Sequence, residues 1–164
     1  MLPILDPNVT PNSLYQHAPF LFWVVVSIAS HRYTRQPTLT RTLSIPVTQL
    51  VLQSIIIRIK PIERIKALVL LLNWPFPTGP FYRDPSFVLA GGLLHMAMHC
   101  GLHAPTLSQD FSNTGPKIPE QHVVQRAEMW AHVVVTYQRY AVQVHPVLNR
   151  TTATANRNSQ GVLC

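Results

Sequence analysis

The sequence predicts an all-α fold of about five helices, and three observations support this. Apolar residues recur at helical spacing in several segments, and no segment forms a convincing strand. Prolines stand where helices would begin, at positions that need no backbone N–H. The chain has only six glycines against fifteen prolines, whereas all-β folds use glycine at their many turns. Its 164 residues are enough for one domain or for part of one.

The first two predicted helices lie before residue 58. One begins at Pro19 and carries apolar side chains on nearly every face, which predicts burial on most sides. The second is predicted to follow Ser44 as its N-cap. Its end, Ile55-Ile56-Ile57, is β-branched, so a strand stays an alternative there. The helical spacing is carried by Phe20, Trp23, Val24, Ser27 and Ile28 in the first helix, and by Val47, Leu50, Val51 and Ile55 in the second.

Three further helices are predicted beyond residue 60. Pro61 opens one of them, and Asp84-Pro85 begins another that runs to about Cys100, with Gly101 at the C′ position. Pro119 precedes the longest helix, while residues 74–80 and 104–118 are predicted loops. The apolar stripes comprise Ile65, Leu68, Val69 and Leu72 in the first of these helices, and Val123, Ala127, Trp130, Val134, Tyr137 and Ala141 in the longest.

The chain is predicted to hold one incomplete helical domain, residues 1–148, followed by a disordered polar tail, residues 149–164. Several helices lack a full polar face, which indicates part of a larger helical domain or one subunit of an oligomer. The N-terminus has no basic segment typical of a signal peptide. Apolar runs at 20–29 and 67–72 are shorter than the roughly 20 residues that span a bilayer. We therefore expect a soluble intracellular protein.

No catalytic or cofactor-binding residue is predicted. The sequence lacks the phosphate-binding loop, the dinucleotide-binding glycine pattern, the zinc-protease HExxH motif and the GxSxG nucleophile motif. Its six carboxylates include no close pair in sequence. Two cysteines, Cys100 and Cys164, exclude a disulfide scaffold and an all-cysteine zinc module. Cys100 lies in an apolar helix and is predicted to be an inert core thiol.

Three histidines, His95, His99 and His103, lie four residues apart. Two imidazoles at this spacing can chelate zinc or nickel. The third would lie about 12 Å along a rigid helix from the first, which is too far to bind the same ion. We therefore predict partly buried or surface histidines and no metal site, although a metal-dependent enzyme built on this row stays an alternative.

Basic residues exceed acidic residues by 13 to 6, giving a net charge of +7, and more than half of them are clustered. Such a cluster can bind nucleic acid. Aromatic residues are not interleaved with these charges, as stacking on bases requires, so a solvated face at helix ends is the favoured interpretation. The three tryptophans, Trp23, Trp74 and Trp130, are predicted to be core residues. The basic cluster consists of Arg32, Arg35, Arg41, Arg58, Lys60, Arg64 and Lys66, with only Glu63 against it.

Several motifs in order resemble one known family. They are Pro3-Ile4-Leu5 with Leu14-Tyr15 and 18–23; Ile28-Ala29-Ser30 with Arg32-Tyr33; 65–72 leading into Trp74-Pro75-Phe76-Pro77; Gly91-Gly92 with Met96-Ala97-Met98 and Gly101-Leu102-His103; and Arg126 with Trp130-Ala131 and Gln138. Together they resemble the middle homology region of fungal zinc-binuclear-cluster transcription factors. The branch they resemble most contains the yeast leucine-biosynthesis regulator.

The resemblance spans roughly residues 2–146 and implies a helical regulatory domain with a nuclear, transcription-related role. Family members bind two zinc ions and promoter DNA through an N-terminal cluster of six cysteines, which this chain lacks. Zinc and DNA are therefore expected only through that missing module. Expected partners are a second copy, a full-length relative or a small-molecule effector, and no membrane. Residues 74–80 and the face from His95 to His103 are the candidate effector sites.

Two alternatives from other classes stay open at this point. Apolar character combined with basic charge is also typical of a small helical protein at a membrane surface. A truncated gene product without function would equally lack the cysteine cluster. The polar sequence that ends in Val162-Leu163-Cys164 does not resemble the family and is compatible with truncation.

Overall fold

A computed structural model of the chain describes residues 5, 8–56, 60–76, 85–106 and 120–160. Within these ranges the backbone forms helices and turns and contains no strand. This confirms the all-α prediction, with one short helix more than expected. The helices are α1 (Pro11–His17), α2 (Pro19–Ser30), α3 (Leu39–Ile56), α4 (Pro61–Asn73), α5 (Ser86–His99) and α6 (Glu120–Gln160).

Proline marks the start of three helices. Pro11, Pro19 and Pro61 each occupy the first turn of α1, α2 and α4, where no backbone N–H needs an intrahelical partner. The predicted starts at Pro19 and Pro61 are therefore confirmed. The additional helix α1 is capped by Thr10, whose Oγ1 accepts a hydrogen bond from the Ser13 N–H at 3.3 Å.

Helix α3 begins earlier than predicted. It starts at Leu39, and Ser44 is an interior residue whose Oγ donates to the Arg41 carbonyl at 2.8 Å. The prediction of Ser44 as N-cap is therefore wrong, because its hydroxyl bonds backward to a carbonyl instead of forward to an N–H. The helix accommodates Pro46 and continues through Ile56, so the strand alternative is wrong there, while Ile57 lies outside the described residues.

Helix α4 is the centre of the core. It contacts α2, α5 and α6, and eight of its side chains are buried. The predicted stripe is confirmed, since each of its members is at most 1% exposed. Ala67, Leu70 and Leu71 are buried as well, so neighbours cover the helix on more than one face. An apolar helix of this kind is stable only when other elements remove most of its surface from water.

Helix α5 ends in a Schellman motif. Gly101 has a φ of 68° and its N–H donates to the Met98 carbonyl at 2.9 Å, while the Leu102 N–H donates to Ala97 at 3.0 Å. The prediction of Gly101 at C′ is confirmed. Leu102 is fully buried and anchors the turn in the core. At the other end the helix begins at Ser86 after Pro85, and Asp84, the predicted N-cap, lies outside the described residues.

The buried face of helix α6 is rotated from the predicted one, although Trp130 and Tyr137 of the predicted stripe also pack against the core. Two hydrogen bonds set its rotation: Asn73 Nδ2 donates to Thr136 Oγ1 at 3.1 Å, and Tyr140 Oη donates to the Leu72 carbonyl at 2.6 Å. Valine occupies positions 133, 134 and 135, so apolar spacing alone allowed more than one face. The predicted stripe was therefore one residue out of register. The buried residues are Met129, Val133, Thr136 and Tyr140.

None of the helices in the described ranges is both long enough and apolar enough to cross a bilayer. Helix α6 continues across residue 148 as far as Gln160, and the division of the chain at residue 148 stays a prediction.

We predict that Val133→Ala lowers the free energy of unfolding by about 2 kcal/mol, because it removes a fully buried side chain and leaves a cavity. The matched control is Val135→Ala on the same helix, where valine is 64% exposed and the loss should stay below about 0.5 kcal/mol. Both changes raise helix propensity equally, so their difference reports burial. Urea unfolding followed by circular dichroism measures both. Equal losses would contradict the packing of α6 described here.

Candidate functional site

The histidine row is not brought together into one site. His95 and His99 are exposed on the last turns of α5, and His103 follows Gly101 beyond the helix. His95 Nδ1 lies 3.0 Å from the Gly91 carbonyl oxygen of its own helix. The His103 ring packs edge-on against Trp130, with ring centroids 6.0 Å apart. Across the described ranges, no three His, Cys, Asp or Glu side chains are grouped to hold a metal ion.

The basic cluster does not form one solvated face. Arg32, Arg35 and Arg41 are exposed, whereas Arg64 is only 8% exposed. Lys66 Nζ pairs with Glu63 Oε1 at 3.1 Å, and this is the one ion pair among the described residues. The interpretation of the cluster as a solvated face is therefore wrong for Arg64. Arg58 lies outside the described residues.

Two of the three tryptophans are not core residues. Trp23 is 37% exposed and Trp74 is 43% exposed, so the prediction of burial is wrong for both. Trp74 is the residue that ends α4, where its N–H donates to the Leu70 carbonyl at 3.0 Å. Only Trp130 packs against the core as expected, in a half-buried position.

A cavity of about 350 Å³ lies between the first four helices. Its apolar wall includes Phe20 and Trp23 of α2 and Leu50 of α3. Its polar groups come from Lys60 and Arg64 at the start of α4 and from Gln53 and Ser54 near the end of α3, with Tyr15, His17 and Glu63 completing the lining. A concave apolar space with few polar groups is the usual form of a small-molecule site. It coincides with neither of the two effector sites expected from the sequence.

Arg64 is the most unusual group in this cavity. Its Nη1 donates to the Ser54 carbonyl, and its buried Nε has no hydrogen-bond partner among the described residues. Burial lowers the pKa of Arg64, while the Cys100 thiolate acts more weakly in the opposite direction. The sequence does contain a signal for this placement. Arg64 lies four residues before Leu68 and therefore extends the apolar stripe of α4 by one turn.

Lys60 lies at the edge of the same cavity in a strained conformation. Its φ of 48° and ψ of 63° place it in the left-handed region, which a residue with a Cβ adopts at a cost of about 1 kcal/mol. Its Nζ donates to the carbonyl of His17, the last residue of α1. The side chain thus connects the start of α4 to the end of α1 and keeps an ammonium group at the cavity.

A second arginine contacts the C-terminal end of α5. Arg126 of α6 donates from Nη2 to the carbonyl of Cys100, the residue that caps α5. A cation at this position stabilises the carbonyl-rich end of a helix. The Cys100 thiol is half-buried, and burial raises its pKa, although Arg126 and Arg64 act in the opposite direction. The sequence motif that joins Arg126 to Trp130 therefore connects α6 to the segment around residues 100–103.

We predict that Cys100 is alkylated several times more slowly than a free cysteine peptide at pH 8, because its raised pKa leaves less thiolate to react. Cys164→Ser makes Cys100 the sole thiol of the chain. Iodoacetamide labelling followed by mass spectrometry gives the rate, and the difference should disappear in about 6 M guanidinium, where burial is lost. Equal rates for the folded chain and the peptide would contradict the predicted pKa shift.

Comparison with known proteins finds relatives for most of the chain. Two curated proteins, each named "Putative transcription factor SEF1", come from Kluyveromyces lactis and Eremothecium gossypii. The first is 30% identical over 140 residues, which are 85% of this chain and 12% of the relative. The second is 29% identical over 128 residues, which are 76% of this chain and 12% of the relative.

No family model matches the chain, and no solved structure is similar to it. The chain spans only 12% of the length of each of the two curated relatives. Most of this chain is therefore homologous to one segment of two much longer fungal proteins that are named as transcription factors.

Proposed function

We propose that this chain is part of the regulatory region of a fungal transcription factor and acts in the nucleus as a non-enzymatic regulator of transcription. The observation that carries the proposal is the similarity to two proteins named as transcription factors over 85% and 76% of the chain. The order of its motifs further supports the middle homology region, in the branch of the leucine-biosynthesis regulator. The described helices supply packing surfaces and a cavity, which suit a regulatory role.

Contact with promoter DNA is assigned to a zinc-binding cysteine module outside this chain. The basic cluster supports this assignment because three of its seven members have separate roles in the structure. Arg64 is buried, Lys66 pairs with Glu63, and Lys60 bonds to a backbone carbonyl. Binding to the phosphate backbone needs several cations directed to one surface. Zinc binding is accordingly proposed only for the cysteine module, which this chain does not contain.

Partner contacts are proposed for the exposed apolar side chains. Ile45 of α3, Val88 of α5 and Val142 of α6 are 67%, 71% and 69% exposed. Exposed apolar side chains of this kind can take part in contact with another protein segment where they lie in one patch. We propose that it contacts a second copy or a full-length relative, and that a small-molecule effector biases the regulator between two states according to its differential affinity. No membrane partner is proposed.

The proposal predicts a regulatory effect when the chain is placed at a promoter. The full chain is inserted between a heterologous DNA-binding domain and an acidic activation domain, and a fungal reporter strain measures output. We expect output to change at least threefold relative to a flexible linker of equal length. Leu68→Asp, which places a charge in the centre of the core, should abolish the change. Output equal to that of the linker, with the fusion folded and nuclear, would overturn the proposal.

A gel-shift measurement with the isolated chain separates direct from indirect action. The chain alone should show no sequence-specific DNA binding at about 150 mM salt, and any weak binding should fall steeply as salt increases. Sequence-specific binding by the chain alone would contradict the assignment of DNA contact to another module. Pelleting with lipid vesicles would instead favour a membrane-surface protein.

A further inference from the structure

We propose that a second copy of this chain docks on the side of α6 that faces away from the core, with the two α6 helices antiparallel and related by a two-fold axis at residue 133. A dimer of this kind gives one of the exposed apolar surfaces described above a defined partner. Only the role of the dimer in regulation rests on the proposed function, whereas the dimer itself does not. Three features of α6 support it: the spacing of its exposed residues, their apolar composition and their symmetry in sequence.

Six exposed residues lie on the side of α6 that faces away from the core. At about 100° per residue, this side is opposite the one that carries the buried Val133 and Tyr140. The exposed residues alternate between spacings of four and three along the helix, which is the heptad spacing of residues that meet between two paired helices. This outer seam consists of Val124, Glu128, Ala131, Val135, Gln138 and Val142.

The outer seam is unusually apolar for a side of a helix that faces water. Its three valines are 56%, 64% and 69% exposed, and its fourth apolar residue is Ala131. Solvated helix sides normally carry charged and polar residues, and valine is a poor helix former, so helix propensity does not account for its use here. Glu128 is the one charged member of the seam. The seam extends for about 27 Å along the helix, which gives a second helix a continuous line of contact.

The order of the outer seam is symmetric about residue 133. Val124 and Val142 each lie nine residues from that position, and Ala131 and Val135 each lie two residues from it. In an antiparallel pair with two-fold symmetry, each seam residue faces the one at the same distance on the other side of the axis. Valine therefore meets valine at both ends of the contact, and the small Ala131 meets Val135 at its centre. Each copy supplies the surface that the other needs.

The polar members of the outer seam favour the antiparallel direction. Glu128 and Gln138 each lie five residues from position 133, so the Gln138 amide of one copy can donate to the Glu128 carboxylate of the other. Arg139 lies on the same flank of the helix as Glu128, since eleven residues are close to three full turns. Arg139 therefore comes beside Glu128 of the second copy. In a parallel pair each of these charges would instead face its own kind, which is unfavourable.

Both charges are available for a partner. Glu128 and Arg139 are exposed, and neither forms an ion pair among the described residues. A single line of short side chains buries less than the roughly 800 Å² per partner of a standard stable interface. We therefore expect a reversible dimer, whose population rises with the concentration of the chain.

Sedimentation velocity of the full 164-residue chain tests the dimer. Between about 5 μM and about 500 μM, the weight-average mass should rise from that of one chain toward that of two. Val135→Asp should weaken the dimer by a factor of about 30 or more, because the two-fold axis places two charges at the centre of the contact. The matched control is Val88→Asp on α5, where valine is 71% exposed and lies outside the seam, and it should leave the dimer unchanged.

Charge reversal tests the direction of the two helices. Glu128→Arg and Arg139→Glu should each weaken the dimer about fivefold, since each replaces two attractive contacts with two repulsive ones. The double variant should restore the affinity of the unaltered chain to within about twofold, because it exchanges the partners of both contacts. In a parallel pair neither single change would add a repulsion, so the single variants would match the unaltered chain.

Cross-linking tests the register. The chains compared carry Cys100→Ala and Cys164→Ser, which remove both native cysteines. A mixture of Val124→Cys and Val142→Cys chains should give a cross-linked dimer with a short bismaleimide. Either variant alone should not, because the two copies of residue 124 lie about 27 Å apart in the antiparallel arrangement.

Three results would overturn the inference. These are a folded chain that stays monomeric at about 500 μM, single charge reversals that leave the dimer unchanged, and cross-linking of Val124→Cys chains to one another. If Cys100→Ala impairs folding, sedimentation and charge reversal still decide. A monomeric chain with a full reporter effect would remove the dimer and retain the regulatory function, whereas a dimer without a reporter effect would do the reverse.

Discussion

The enclosure of α4 is the constraint on which the rest of the structure depends. This helix has a nearly continuous apolar surface, and Ile65, Leu68 and Val69 are completely removed from water. Such a helix cannot lie at a surface, so α2, α5 and α6 must cover it. The polar groups at its ends then need partners within the protein. Tyr140 supplies one at the carbonyl end, where its hydroxyl donates to Leu72. Arg64 and Lys60 lie at the other end, where the cavity opens.

Local signals in the sequence determined several elements of the fold correctly. The spacing of Ile65 and Leu68 predicted the buried face of α4, because a long apolar stripe has one period that fits. Gly101 predicted the end of α5, since a left-handed residue is needed there. The prediction of Ser44 as an N-cap failed because a serine hydroxyl can either accept from an N–H as a cap or donate to a preceding carbonyl. Nothing local to Ser44 decides between these bonds.

The rotation of α6 and the exposure of the tryptophans depend on tertiary contacts. Three successive valines gave α6 more than one apolar face, and the partners that choose between them, Asn73 and Leu72, are more than sixty residues away in sequence. Trp23 follows the same apolar spacing as buried residues of α2, yet it lies beside a cavity that none of the described helices fills. The candidate site was missed for a related reason. A cluster of basic residues in the sequence does not predict which of its side chains is buried. Arg64 is buried because it continues the apolar stripe of α4.

The hydrogen bond from Arg64 to Ser54 has a mechanical consequence. Ser54 provides one of the last carbonyls of α3, so the guanidinium holds the end of that helix, while its Nε has no hydrogen-bond partner among the described residues. The planar guanidinium of Arg64 therefore contacts the end of α3 and also lines the cavity. Because Arg64 both bonds to Ser54 and lines the cavity, a shift of the last turn of α3 would also move a group in the cavity wall.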